Sequence, residues 1–297
     1  MRLTVAVCTW NRAGLLRRAL EHMTRLIVPQ DVEWELLVVN NSCTDATDDV
    51  IAAFAGRLPI QRLREPQPGL SHARNRALRA ATGDYLLWTD DDVLVDEDWV
   101  RAYREAFARW PAAVVFGGPI RPLFEGSPPP WIERTLPRIG GVFAVRDLGA
   151  DPVLLGVEGD RLPYGANYAV RMIEQRRFLY HTDLGRRPGG VLLGSEEREL
   201  LGDMLGAGAT GWWVPAARVR HIIPAERQTI RYVRAYCEGY GQYLRWKAGG
   251  ARSPGRWALL RRAAAAELRY RVGRVIARPE RWVEDLILAS ETWGQLR

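Results

Sequence analysis

The stretch YLLWTDDDV, residues 85–93, decides how this chain is read. An apolar strand pattern runs into three consecutive aspartates, Asp90, Asp91 and Asp92. Like charges at the tip of a buried strand repel one another, and desolvating a carboxylate is costly unless a cation faces it. Magnesium and manganese take hard oxygen ligands, commonly one or two carboxylates together with substrate phosphates. The triplet therefore points to Mn2+ or Mg2+ shared with a diphosphate. The ordinary alternative is an aspartate-rich turn ahead of the helix that begins near Asp98.

Working outward, the first 120 or so residues alternate strand and helix. Strands are predicted over 3–10, 34–41, 58–65, 84–92 and 112–118. Helices are predicted after the first strand (Leu16, Leu20, Met23 and Ile27 share one face) and over 45–54, 70–82 and 98–109. Continuous apolar strands joined by helical crossovers make a parallel sheet covered on both faces. Such sheets bind ligands at the carboxyl ends of their strands. Thr9, Asn40, Asn41 and the aspartate triplet all fall at those ends.

From 119 to 162 proline, glycine and aromatic residues dominate without a sustained period, and an irregular segment is expected there. A loop of that length inside a domain is usually functional or mobile. A strand is predicted over 164–171 and a helix from about Ser195, with Ser195 as its N-cap. Residues 210–222 read as one further strand. Helices follow over 228–246, 254–277 and 279–293.

Composition bounds the reading. The chain has 297 residues, 47% hydrophobic and 26% charged, which suits a globular protein of one large or two ordinary domains. No run of eighteen apolar residues marks a membrane span, and MRLTVAVCTWNR lacks the apolar core of a signal peptide, so it reads as a first strand. Cys8, Cys43 and Cys237 show neither disulfide nor metal-ligand spacing, and a reducing cytoplasm is expected. The net charge is +7, unevenly placed: residues 218–297 carry 17 basic and 7 acidic residues, leaving residues 1–217 slightly acidic. A basic tail suits nucleic acid, anionic lipid or simply water. A nucleic-acid-binding protein would set its basic residues around the site, whereas here the site-bearing part is acidic. A nucleotidyltransferase, the other alternative, would show a glycine-rich basic loop after the first strand, and TWNRAG is a poor version of one.

Six motifs, TVAVCTWNRAGLLRRAL, VVNNSCTDAT, PGLSHARNRAL, YLLWTDDDV, YGANYAV and GSEERELLGDML, follow one another in the order expected of a family 2 glycosyltransferase with the GT-A fold. The resemblance covers roughly residues 3–224. It implies a Rossmann-like α/β domain over 1–224, with a nucleotide-binding half (1–118) and an acceptor-binding half (119–224), followed by a helical extension over 225–297. It implies an inverting, metal-dependent transfer of sugar from a nucleoside diphosphate to an acceptor hydroxyl. UDP is the first choice of nucleotide, with GDP or dTDP as alternatives. The acceptor is a glycan, a lipid-linked saccharide or a small molecule.

Residue by residue, Thr9 and Asn11 resemble the family's nucleotide-binding loop, and Arg74 its nucleotide-side arginine. Asn40 stands where the family usually has an aspartate contacting the base; an amide presents a donor as well as an acceptor. Asp90, Asp91 and Asp92 resemble the DXD motif, with Asp90 and Asp92 as metal ligands and His221 completing the shell. Glu197 takes the place of the catalytic base, with Glu196 second; both would otherwise be favourable charges in a first helical turn. Gly165, Ala166 and Asn167 resemble an acceptor- or sugar-side strand. Trp131 and the Trp212–Trp213 pair offer faces for sugar stacking, or else pack in the core.

In the C-terminal region Leu260, Ala264, Leu268, Val272 and Ile276 share one helical face, with Arg261, Arg262, Arg269 and Arg271 outside it. Core packing or a homodimer is the ordinary expectation. The functional option is peripheral contact with anionic membrane at its inner face.

Overall fold

The computed structural model describes residues 1–187, 194–249 and 255–297. In chain order the first elements are β1 (Arg2–Thr9), α1 (Ala13–Met23), β2 (Glu33–Asn40), α2 (Thr47–Ala53), β3 (Ile60–Arg64), α3 (Leu70–Ala80) and β4 (Tyr85–Asp90). β1 pairs in parallel with β2 and β4, and β2 with β3. The strands are apolar on both faces because both are covered. Leu3, Val5 and Val7 of β1 join Leu16 and Leu20 of α1 in one cluster, while Ala6 and Cys8 join Ala73 and Ala77 of α3 in another.

The chain continues with β5 (Val93–Val95), α4 (Trp99–Arg109), β6 (Val115–Gly117), β7 (Ile120–Phe124), α5 (Pro130–Ile139), β8 (Asn167–Arg171), α6 (Met172–Gln175), α7 (Glu196–Gly206), β9 (Gly211–Trp213) and β10 (Val219–Ile223). The main sheet has the order β3-β2-β1-β4-β8-β6-β9. It is mostly parallel, as the sequence predicts; β8 runs antiparallel to both neighbours. A second sheet has the order β5-β10-β7. Its register sets His221 opposite Val93, and the Ile222 N–H donates to the Asp92 carbonyl at 2.8 Å. Two strands far apart in sequence thus converge at the aspartate triplet.

Three expectations are corrected. The segment predicted to be irregular contains β7 and α5. Pro130 sits in the first turn of α5, where a missing N–H costs nothing, so the proline that argued against a helix starts one. The single strand predicted over 210–222 is two strands in two different sheets, parted around Pro215. Ser195 precedes α7 with a φ of 72°, outside the extended backbone that an N-cap side chain normally uses.

The last elements are α8 (Ile230–Lys247), α9 (Arg256–Ile276) and α10 (Pro279–Leu296). The predicted start of the middle helix at Pro254 lies outside the described residues. Two compact units emerge: one of Met1–Leu123, Ala144–Asp183 and Glu196–Ile222, the other of Phe124–Phe143, the described residues of Leu184–Ser195, and those of Ile223–Arg297. In the second unit α8 and α10 cross at glycines. A Cβ on Gly241 would lie 2.0 Å from the Glu291 carbonyl oxygen, and one on Gly294 2.0 Å from that of Glu238. α9 buries Leu259, Ala263, Ala266 and Tyr270. The stripe for which core packing, a homodimer or membrane contact is expected is not packed within the chain: Leu268, Val272 and Ile276 are all exposed. The small alanines allow the closer approach, and packing follows fit rather than side-chain size.

Candidate active site

β1 and β4 are neighbours, and their carboxyl ends build the acidic floor. The Thr9 hydroxyl donates to Asp91 at 2.8 Å. The next turn passes through Asn11 at a φ of 51°, a left-handed conformation that asparagine tolerates better than most residues. Asn11 Oδ1 accepts from the Thr44 N–H at 2.7 Å, which ties this loop to the one after β2. Arg12 then reaches back, and its Nη1 donates to Asp91 at 3.0 Å and to Asp92 at 3.1 Å. Asp91 and Asp92 are both buried. Burial pushes the Asp91 carboxyl up to about 6; Arg12 opposes this and Asp92 adds to it. The repulsion that marks the triplet in the sequence is thus met within the chain itself.

Asp90 belongs to a second cluster. Its carboxylate lies 3.7 Å from Arg74 Nη2, while Arg74 Nη1 lies 3.4 Å from Glu196 and 4.0 Å from Glu197. Arg74 is 2% exposed, and its guanidinium faces the rings of Trp88 and Tyr180 at 5.7 and 5.5 Å. This places Arg74 under the site, joining three carboxylates, rather than on an open nucleotide-binding surface. α3 holds it there: Gly69, at a φ of 136°, turns the chain into the helix, and its N–H donates to Asn41 Oδ1 at 2.9 Å.

Glu196 and Glu197 open α7. Glu196 is buried beside Arg74, whereas the Glu197 side chain keeps 17% exposure and accepts from the Gly165 N–H at 3.2 Å. A Cβ on Gly165 would stand 2.6 Å from Arg74 Nη2 and 3.3 Å from the Glu197 carboxyl carbon. Glycine is therefore what lets these groups meet.

His221 Nε2 lies 3.4 Å from Asp92 Oδ1. Asp90, Asp92 and His221 do not form the expected set of three: among the described residues no group of three or more His, Cys, Asp or Glu side chains is disposed to hold a metal ion. The reason is that Asp90 turns to Arg74. Asp92 and His221 alone still fit a dication, because hard cations commonly take one or two protein ligands and complete the shell with phosphate oxygens. The Asp92 carboxylate is the oxygen donor that Mg2+ and Mn2+ favour.

Other predicted positions are occupied differently. The Asn40 amide donates to Asp48 at 2.7 Å and accepts from the Cys43 N–H at 2.8 Å, so it shapes the turn. Ala166 and Asn167 are inside the protein. Asn167 Oδ1 accepts from Trp99 and Tyr103, and its Nδ2 donates to the carbonyls of Pro119 and Ala217, which leaves it nothing to offer a substrate. Trp212 stacks on Trp110 at 4.8 Å, and Trp213 is buried. Trp131 belongs to the second unit, against Trp282. Arg12 escaped the sequence reading; its signal was its place directly after the carboxyl end of β1.

A mostly parallel sheet flanked by helices, with an acidic tip on one strand and a glutamate-led helix beside it, is an α/β architecture of the GT-A fold. Residues 4–153, half of the chain, match the profile of glycosyl transferase family 2, and the chain belongs to that family of glycosyltransferases. It is 26% identical over 262 residues to the succinoglycan biosynthesis protein ExoM of Rhizobium meliloti, covering 85% of this chain and 78% of that one. It is 33% identical over 118 residues to validoxylamine A glucosyltransferase of Streptomyces hygroscopicus, covering 39% of this chain and 28% of that one. Among solved structures, a mannosyltransferase, PcManGT from Pyrobaculum calidifontis in complex with GDP-Man and Mn2+, superposes with a TM-score of 0.65 at 19% identity, over 99% of this chain and 86% of that one. TarS of S. aureus in complex with UDP-GlcNAc superposes with a TM-score of 0.56 at 12% identity, over 100% and 90% of the two chains. Family membership sets aside the nucleotidyltransferase and nucleic-acid-binding alternatives. Among the described residues no helix is long and apolar enough to cross a membrane.

Proposed function

We propose that the chain transfers a sugar from a nucleoside diphosphate donor to an acceptor hydroxyl with inversion at the anomeric carbon, and that Glu197 is the catalytic base. The observation that carries this is the contrast between the paired glutamates. Glu196 is sealed against Arg74, while Glu197 stays partly exposed with Gly165 fixing one of its oxygens. Its other oxygen, Oε2, lies 4.0 Å from Arg74 Nη1, beyond hydrogen-bond length, and is the one to meet an incoming hydroxyl, as general base catalysis requires. In the reaction the acceptor oxygen forms a bond to the anomeric carbon, its proton passes to Glu197, and the bond to the diphosphate breaks. The diphosphate leaves with the electron pair.

Asp92 and His221 would hold Mn2+ or Mg2+, which when bound offsets charge on the leaving diphosphate. Asp90 and Asp91 shape that corner, Arg12 and Thr9 keep Asp91 in place, and Asn11 and Asn40 order the nucleotide loops. Arg74 is a positioning residue that couples the donor-side aspartate to both glutamates. The relatives support a nucleotide-sugar donor, since the two superposed structures bind GDP-Man and UDP-GlcNAc. Uridine, guanosine and thymidine diphosphates are the nucleotides to compare first.

Glu197→Gln tests the reading. It should keep the thermal shift given by donor plus Mn2+ and lose transfer by about a thousandfold. Transfer at the wild-type rate would move the base elsewhere, with Glu196 the next to examine. Proton NMR of the product's anomeric centre tests inversion.

A further inference from the structure

The second unit leaves one helical face uncovered. α9 packs through Leu259, Ala263, Ala266 and Tyr270, and Tyr270 meets Trp282 edge-on at 6.0 Å. On another side of the same helix Trp257, Leu268, Val272, Val275 and Ile276 are 77, 64, 50, 84 and 77% exposed. With 3.6 residues per turn these five side chains fall within about 100° of the circumference, a second apolar stripe. The helix is 21 residues long, so the stripe extends over about 30 Å.

Charge frames the stripe. The helix carries six arginines and a single acidic residue, Glu267. Arg262 and Arg269 border the stripe on one side, Arg271 and Arg274 on the other, and Arg261 rises within it. Glu267 is already engaged by Arg234 at 2.8 Å and Arg271 at 2.9 Å.

We propose that this face docks on an anionic lipid surface, with α9 lying in the plane of the interface. Apolar side chains enter the acyl boundary and the guanidinium groups of Arg261, Arg262 and Arg274 pair with phosphate headgroups, while Arg269 and Arg271 already donate to Asp285 at 2.7 Å and Glu267 at 2.9 Å. Charge complementarity selects this occupant over a second copy of the chain. A two-fold pairing sets a face against itself. Here that would bring arginine borders together, with the helix's one carboxylate already paired. An anionic bilayer supplies the missing negative charge and the apolar phase together. The inference does not depend on the sugar-transfer reading.

The test is co-sedimentation of the full chain with phosphatidylcholine vesicles, with and without phosphatidylglycerol. Binding is expected only with phosphatidylglycerol, weakening as salt rises. Leu268→Glu with Val275→Glu should reduce partitioning at least tenfold, and Arg261→Gln and Arg274→Gln about fivefold each. Unchanged melting and donor binding would show that these exposed substitutions spare the fold. Brominated phosphatidylglycerol should quench part of the wild-type tryptophan fluorescence that Trp257→Phe removes. Failure to bind, equal binding to neutral vesicles, or a lipid-free dimer dissociated by Leu268→Glu would each overturn the proposal.

Discussion

At the scale of single residues the site is an exercise in neutralising buried carboxylates. One nitrogen of Arg12 serves Asp91 and Asp92, and the guanidinium of Arg74 serves Asp90, Glu196 and Glu197. Removing a partner from a buried pair costs more than making the pair gains, because the remaining charge is left without compensation. Arg12→Met should therefore destabilise the protein, by about 2 kcal/mol once the partial exposure of Arg12 is allowed for. A dication on Asp92 would supply some of the lost charge, so added Mn2+ should raise the melting temperature of the variant more than that of wild type. Equal increments would show that Arg12 and the metal do not share those carboxylates. Gly165→Ala tests the other cluster. Its Cβ would displace Arg74 and Glu197, and turnover should fall on the order of a hundredfold while donor affinity stays near wild type. A turnover within a factor of about two of wild type would contradict the proposed placement of the base.

At the scale of elements, the crossing of α8 and α10 is set by glycine. Alanine is the better helix former by about 1 kcal/mol, yet a Cβ on Gly241 would meet a backbone oxygen that cannot turn aside. Separating two packed helices costs about 1–3 kcal/mol, so the clash wins, and Gly241→Ala should be destabilising in denaturant unfolding. Gly14, near the start of α1, has nothing within 4 Å of an added Cβ. Gly14→Ala should be neutral or stabilising by up to about 1 kcal/mol. If both variants lost stability equally, the glycine contact would not be what limits the approach of α8 and α10.

At the scale of the whole molecule, much was readable in the sequence, and the exceptions have physical causes. The parallel strands and crossover helices announced themselves because residues such as Leu36, Leu37, Val38 and Val39 are apolar in succession, which only a sheet covered on both faces accommodates. The aspartate triplet and the paired glutamates were legible as chemistry. Their partners were not: Arg12 is 79 residues from Asp91, and local pattern says nothing of such pairings. Core packing is one of the readings open for the stripe of Leu268, Val272 and Ile276, and the sequence does not exclude it because α9 has two apolar stripes, of which the other, with Leu259, Ala263, Ala266 and Tyr270, is the buried one. Asn167 looked like a substrate ligand because its role, joining Trp99, Tyr103 and two carbonyls, exists only in the folded chain.

Glu291, like Asp91, contributes to how the stability of the whole molecule depends on pH. Burial lifts its carboxyl from 4.5 to about 7, against the nearby Arg262. The folded chain therefore holds a proton that the unfolded chain has released between those values, and stability should fall as pH rises through that window. Glu291→Gln should flatten this slope and be the more stable form above about pH 7, by on the order of 2 kcal/mol. Parallel pH profiles for the two proteins would exclude Glu291 as the source.

The central claim is that the carboxyl end of β4 holds a dication together with a diphosphate. Titration calorimetry of UDP and GDP, with and without Mn2+, on wild type and Asp92→Asn tests it most directly. The account predicts that wild type binds at least one of the two in a Mn2+-dependent manner and that Asp92→Asn loses that dependence. Binding of equal strength with and without Mn2+ in both proteins would contradict it.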